Sequence, residues 1–319
     1  MIVVRITMGL GNQLFQYAAA LALSLEKNVP LKVDTSTYAG YPLRKYELDL
    51  YFGIDTPIIS DAEAAHYRYN HPVKRIWNKL FPKNKMRVLQ LTYEEPFVQR
   101  SLLRIHDFFY PPHKRKTYIE PYYHFDKNFF KAHNDIFLQG FWMSWKYFQK
   151  YETVIRNTFI IRRELVQHLD IIARNMQQQN SVSFHVRRTD ITDPRIIKLK
   201  GAIPVSFYRK AIDEISVQNE QIELYFFSDD IQWVKENITI SDVPVHYIDK
   251  TVTSSPIEDF YLMTQCRHNV IANSTFSWWA AYLNNNPDKM VIAPRKWYAD
   301  TKIFRVEDIY PPSWKVIDY

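Results

Sequence analysis

Four short segments of this chain hold side chains whose types and spacing suit a phosphorylated or nucleotide ligand. The first is His185-Val186-Arg187-Arg188-Thr189-Asp190, closing the strand-like run Ser181–Val186. A planar guanidinium presents a donor fork that matches phosphate oxygens, so two arginines at a strand end suit a diphosphate. Alternation sends Ser183, His185 and Arg187 to one side, and Val182, Phe184 and Val186 to the other. Asp190 can orient an arginine by an ion pair. The plainer alternative is structural pairing of the arginines with neighbouring acids.

The second segment is Asn273-Ser274-Thr275-Phe276-Ser277-Trp278-Trp279. Hydroxyls beside a helix start, with its free amides, make a second phosphate site. Arg187 or Arg188 with Ser274 can then surround one diphosphate. Alternatively, Ser277 is a cap and the tryptophans are core. The third, Met8-Gly9-Leu10-Gly11-Asn12-Gln13, joins a strand to a helix. Glycines allow a tight turn and close backbone approach, and Asn12 and Gln13 both donate and accept. The segment lacks the third glycine of the dinucleotide motif and the lysine of the P-loop, so a plain turn is the alternative. The fourth is Phe227-Ser228-Asp229-Asp230. Ser228 or Asp229 can cap the helix starting near Ile231, or Asp229 can contact a nucleotide ribose or base.

Other chemistry is thinly represented. His66, His71, His106, His113, His124 and His133 lack metal-ligand spacing, and no metal motif stands out, so no metal is expected. Pro112–Lys116 reads as a solvated basic loop. The single Cys266 excludes an internal disulfide and fits a reducing compartment.

These segments need strands and helices to hold them, and the composition supplies both. The 319 residues are 46% hydrophobic and 16% aromatic, which excludes disorder for most of the chain. The length suggests about two domains. Met1–Thr7, Leu31–Asp34 and Ile136–Phe141 read as strands. Gln13–Lys27, Asp61–Tyr69, Val73–Leu80, Trp145–Thr158 and Arg162–Gln178 read as helices. Further strands fall at Val182–Val186, Ile222–Phe227, Val243–Ile248, Asn269–Ala272 and Met290–Ala293. Helices lie between them at Val205–Ile215, Ile231–Glu236, Pro256–Cys266 and Phe276–Asn285. This alternation predicts an α/β fold with parallel sheets, whose ligands bind beyond the carboxyl ends of strands. The expected division is 1–160, 161–300, and a tail, 301–319, packing back on the body. The net charge of +7 allows contact with a phosphorylated ligand or an anionic membrane surface. No spanning segment or signal peptide is predicted, so a cytoplasmic location is expected. A non-catalytic glycan- or nucleic-acid-binding protein is the alternative class, but the basic residues are dispersed and no nucleic-acid module motif is present.

Taken in order, MGLGNQLFQYAAALAL, FLQGFWMSWKYF, VSFHVRRTD, YFFSDDIQWVKEN and the run from DFYLMTQCRHN to APRKWY resemble the bacterial α-1,2-fucosyltransferases of glycosyltransferase family 11. The resemblance implies a GT-B-like fold, two Rossmann-like α/β domains facing a cleft, with residues 1–160 on the acceptor side and 161–300 binding GDP-β-L-fucose. It implies inverting, metal-independent transfer to the 2-hydroxyl of a galactose, in an oligosaccharide or lipid-linked glycan, and peripheral contact with the inner membrane. Another GDP-sugar or linkage is the alternative within this class. On the matching positions, Arg187 and Arg188 hold the diphosphate, with Arg188 the critical one, and His185 and Asp190 shape the pocket. Asn273, Ser274, Thr275 and Ser277 form the donor-binding junction. Gly11, Asn12 and Gln13 lie near fucose and diphosphate. The family commonly reads R-R-G-D-Y where this chain has Arg187-Arg188-Thr189-Asp190-Ile191.

Overall fold

A computed structural model describes residues 1–40, 44–67, 79, 116–120, 124–188, 201–299 and 308–319. The elements, in chain order, are β1 (Ile2–Arg5), α1 (Leu10–Lys27), β2 (Leu31–Asp34), α2 (Leu48–Phe52), α3 (Asp61–Tyr67), β3 (Thr117–Ile119), β4 (Ile136–Gln139), α4 (Glu152–Thr158), α5 (Asp170–Gln178), β5 (Asn180–Val186), α6 (Val205–Ser216), β6 (Ile222–Ser228), α7 (Ile231–Asn237), β7 (Val245–Ile248), α8 (Pro256–Gln265), β8 (His268–Val270), α9 (Thr275–Leu283), β9 (Val291–Pro294) and β10 (Lys315–Ile317). They fall into two compact α/β units. One holds Met1–Gly9, Phe15–Tyr46 and Asp55–Ile155; the other holds Leu10–Leu14, Glu47–Ile54 and Arg156–Tyr319.

The first unit is built on a parallel four-stranded sheet of order β2-β1-β4-β3. Its inner strand β1 is a β-branched run, Ile2-Val3-Val4, with no exposed surface, as burial on both faces of a parallel sheet demands. α1 is rich in alanine and leucine and ends at Asn28. There a left-handed backbone (φ 51°) lets the Asn28 N–H reach the Leu25 carbonyl, a C-terminal stop Asn tolerates better than most residues.

The second unit is built on a parallel six-stranded sheet of order β10-β9-β8-β5-β6-β7. Counted from β5, the chain builds outward through β6 and β7, then returns to the far side of β5 and builds through β8, β9 and β10. This is the Rossmann order, and its switch point lies between β5 and β8, which pair directly. On one face Val182, Phe184 and Val186 pack with Phe207, Tyr208, Ala211 and Ile215 of α6. Behind the other face, Asn269 donates to Ser183 Oγ (2.7 Å) and the Met263 carbonyl (2.8 Å), and Asn284 donates to Asn269 Oδ1 (2.8 Å). These buried amides are paired, so their hydrogen bonds offset the cost of desolvating them as they fix the β5–β8 pair.

Several expected elements shift. Residues 145–151 form two 3₁₀ turns and the helix begins only at Glu152; residues 163–169 do likewise before Asp170. In both cases the α-helix starts at the acid that complements the positive end of its dipole. The tail supplies strand β10, parallel to β9. β3 was not expected from the sequence, and most of Val73–Leu80 lies outside the described residues. Among the described residues, no helix is long and apolar enough to cross a membrane.

Candidate functional site

The candidate site sits at the carboxyl ends of β5, β6 and β8 in the second unit. β5 delivers His185, and Arg187 and Arg188 follow it directly. Arg188 is fixed at two points. Its backbone N–H donates to Asp229 Oδ1 at 2.7 Å, and its guanidinium carbon lies 3.9 Å from the centre of the Trp233 ring. The guanidinium Nε is shielded from solvent and makes no hydrogen bond.

The Ser228-Asp229-Asp230 segment divides its work. Ser228 Oγ accepts from the Asp230 N–H (3.0 Å), and Asp230 Oδ1 accepts from the Trp233 N–H (3.1 Å). The cap of α7 is therefore Asp230 rather than Ser228 or Asp229. A β6 register one residue longer than expected carries Ser228 into the strand, which frees Asp229 to reach across to β5.

His185 is half-buried and its Nδ1 makes no hydrogen bond. Burial pushes its pKa from 6.5 down to about 4; Asp229 opposes that shift and Arg187 adds to it. At neutral pH the imidazole is uncharged, so the positive charge here resides on arginine. The Tyr208 hydroxyl approaches the His185 carbonyl at 3.5 Å, and the His185 and Phe276 rings are 6.0 Å apart. Residues 189 and 190 lie outside the described set, and Asp190 with them.

After β8, Asn273 donates to the carbonyls of Gly201 (3.4 Å) and Trp297 (3.3 Å). Ser277 donates back to the Ser274 carbonyl at 3.3 Å. These two side chains brace the junction. Ser274 is the residue before α9, and its own side chain makes no cap hydrogen bond.

The first turn of α1 comes to the same place. A Cβ on Gly11 would lie 2.5 Å from Phe276 N and 2.6 Å from the Thr275 carbonyl oxygen. Gly11 is thus required for contact between two helix backbones. α1 also starts without a side-chain cap, so two positive helix ends converge. Glycine's conformational freedom is not what the loop uses: the left-handed residue is Met8 (φ 69°). Gln13 is fully buried and its Oε1 accepts from the Glu47 N–H at 3.0 Å. Asn12 is half-buried beside it.

A family model described as "Glycosyl transferase family 11" matches residues 80–318. The chain belongs to glycosyltransferase family 11. This family member is similar to the O-antigen biosynthesis glycosyltransferase WbnK of Escherichia coli, 32% identical over 91% of this chain and 93% of that protein. It is also similar to an α-1,2-colitosyltransferase of Escherichia coli, 29% identical over 99% of each. A galactoside α-(1,2)-fucosyltransferase 1 of Leontocebus fuscicollis is 31% identical over 56% of this chain and 51% of that protein.

Three residues of this family-11 chain carry no sequence signal that marks them. Trp233 reads as an ordinary helix aromatic, yet it underlies Arg188. Asp259, half-buried near the start of α8, accepts from the Thr253 hydroxyl at 2.6 Å. Burial, with a smaller contribution from Glu258, pushes its pKa up to about 6. In the first unit, Glu120 is buried at the end of β3 and accepts N–H bonds from Phe141 (2.6 Å) and Trp142 (3.0 Å). Burial pushes its pKa up to about 8, with Asp126 adding to the shift and the two N–H bonds opposing it.

Proposed function

We propose that this chain transfers L-fucose from GDP-β-L-fucose to the 2-hydroxyl of a galactose residue in a glycan, inverting the anomeric centre without a metal ion. The observation that carries this reading is the placement of Arg187 and Arg188 after β5 and of the start of α9 after β8, the two strands of the switch point. A diphosphate leaving group needs donors already in place where its charge develops. Planar guanidinium forks and helix amides are such donors, and neither requires reorganisation.

Breaking the fucose–phosphate bond leaves positive charge on the sugar and negative charge on GDP. Arg188 acts on the second of these, and Arg187 holds the diphosphate with it. Ser274 and Thr275 present the start of α9, supported by Asn273 and Ser277. Gly11, Asn12 and Gln13 bring the start of α1 to the fucose and diphosphate. Asp229 fixes the Arg188 backbone. His185 and Asp190 shape the pocket. The acceptor hydroxyl attacks the opposite face of the sugar and gives up its proton as the new bond forms.

The acceptor is a galactose-terminated oligosaccharide or lipid-linked glycan; the galactoside and O-antigen names of the relatives support it. The colitosyltransferase, similar along 99% of the chain, supports GDP-colitose as a second donor. Colitose is L-fucose without its 3-hydroxyl. A site that hydrogen-bonds that hydroxyl discriminates strongly, and an apolar one only weakly. Purified protein, offered both donors with galactose-terminated acceptors, yields an α-1,2-fucosyl product by NMR. Preference for GDP-colitose replaces the donor assignment, and another linkage, or no transfer, refutes the proposal. The +7 charge supports peripheral attachment to anionic membranes. Flotation with anionic liposomes at low salt and release at high salt test it; no flotation at low salt counts against it.

A further inference from the structure

We propose that Trp233 is a positioning residue for Arg188: its indole face holds the guanidinium beside the β5–β8 switch point before any donor arrives. This inference rests on the assignment of Arg188 to the leaving diphosphate, and it adds a residue outside the arginine motif.

The geometry supports it in three ways. The guanidinium carbon lies over the Trp233 ring, 3.9 Å from its centre, well inside the range of a cation–π contact. A stacked guanidinium uses its face, whereas its N–H donors point outward in its own plane. The indole can therefore fix the group without consuming the donors that a diphosphate needs. Among the described residues, the Arg188 Nε is shielded and makes no hydrogen bond, and Asp229, directly after β6, accepts from the Arg188 backbone N–H.

Trp233 is itself held. Its N–H donates to Asp230 at the start of α7, and the Asp230 N–H donates to Ser228 at the end of β6. The neighbouring Val234 is fully buried in the core of the second unit. The indole thus stands on a braced first turn, not on a mobile loop. A free arginine side chain carries about 2 kcal/mol of rotamer entropy. Restricting it before the reaction lowers the cost of aligning it on the transition state.

Only an aromatic face serves this role. Trp233→Leu lowers kcat/KM about tenfold, mostly in kcat, and Trp233→Phe falls less, because its smaller face still stacks. In an Arg188→Lys background, Trp233→Leu lowers kcat/KM by less than about twofold, since an ammonium has no plane to stack. A separate readout needs no substrate. In arginine-labelled, unliganded protein, the Arg188 Nε–H resonance, assigned by its loss in Arg188→Lys, carries a ring-current shift. Trp233→Leu removes that shift. Thermal melts confirm that each variant is folded, and Trp233→Phe carries the test if Trp233→Leu is not.

No ring-current shift in the wild type overturns the inference, as does additivity of Trp233→Leu with Arg188→Lys. A shift that disappears in Trp233→Leu with unchanged kcat/KM overturns it too, by showing a stack without a function. Near-wild-type kinetics in Arg188→Ala remove the diphosphate assignment instead; the resonance shift still reports the stack.

Discussion

Replacing Gly11 by alanine tests whether the start of α1 must touch the start of α9. The new Cβ would lie 2.5 Å from Phe276 N and 2.6 Å from the Thr275 carbonyl oxygen. Ordinary contact begins near 3.4 Å, so one backbone must retreat by about 1 Å, because no side-chain tip is available to swing away. Alanine gains about 1 kcal/mol of helix propensity over glycine. Overpacking against a rigid partner costs about 1–3 kcal/mol, leaving a net loss of about 0–2 kcal/mol. The effect on rate is larger than the effect on stability. A displacement near 1 Å at a reacting centre costs about 10²-fold, whereas the fold loses only a fraction of its stability. Gly11→Ala is therefore expected to fold, to melt at a slightly lower temperature, and to lose about two decades of kcat/KM for the donor. Thermal unfolding and steady-state transfer measure the two. An enzyme with wild-type melting and wild-type kcat/KM would refute the required contact; a large loss of stability with unchanged kinetics would refute its link to the site.

Removing the Arg188 guanidinium in Arg188→Ala is expected to lower kcat/KM about 10²–10³-fold, the cost of one lost transition-state donor. Arg188→Lys is also badly impaired, with circular dichroism unchanged in both. Transfer is expected to persist in EDTA, and complete loss restored by Mn²⁺ would refute the metal-independent proposal. Glu120, whose pKa is pushed from 4.5 up to about 8, binds its proton more tightly folded than unfolded. Its contribution to stability is full below about pH 4.5 and is lost as pH rises through about 8; denaturant melts of the wild type and Glu120→Gln measure it, and an equal slope in both refutes it.

The sequence made the second unit largely legible. Strands β5 to β9 and their helices stand within a few residues of their expected positions, because each buried strand is a short apolar run between turn signals. The placement of His185, Arg187 and Arg188 at the end of β5 was legible for the same reason, since the end of a short apolar run is readable. The first unit was less legible: β3 is three residues long and carries little periodicity. Contacts distant in sequence were not legible at all. Nothing near Gly11 announces that Leu10–Leu14 groups with the second unit. Nothing in Asp229-Asp230 says which acid caps α7 and which binds Arg188, since both are good caps. Nothing in the sequence says that Asn273 also donates to the Gly201 carbonyl, or Ser277 to that of Ser274.

The uncharged state of His185 leads to a last prediction. Its pKa of about 4 arises first from burial; the nearby Arg187 adds to the shift and Asp229 opposes it. A diphosphate beside Arg187 and Arg188 brings negative charge to the same place, and an opposite charge favours the imidazolium. GDP binding should therefore raise the His185 pKa, drawing a proton from solvent at pH values above about 4 and below its new value. The protein alone behaves in the linked sense: with the folded pKa depressed, the stability His185 contributes is present above about pH 6.5 and lost as pH falls through about 4. Calorimetry near pH 5 in two buffers of different ionisation enthalpy counts the protons. GDP titrates near the same pH and contributes protons of its own, so the relevant quantity is the difference between wild type and His185→Gln. The wild type should take up more protons than the variant. Equal uptake would mean that the diphosphate does not lie beside His185, and the placement of the donor at the β5–β8 switch point would fall with it.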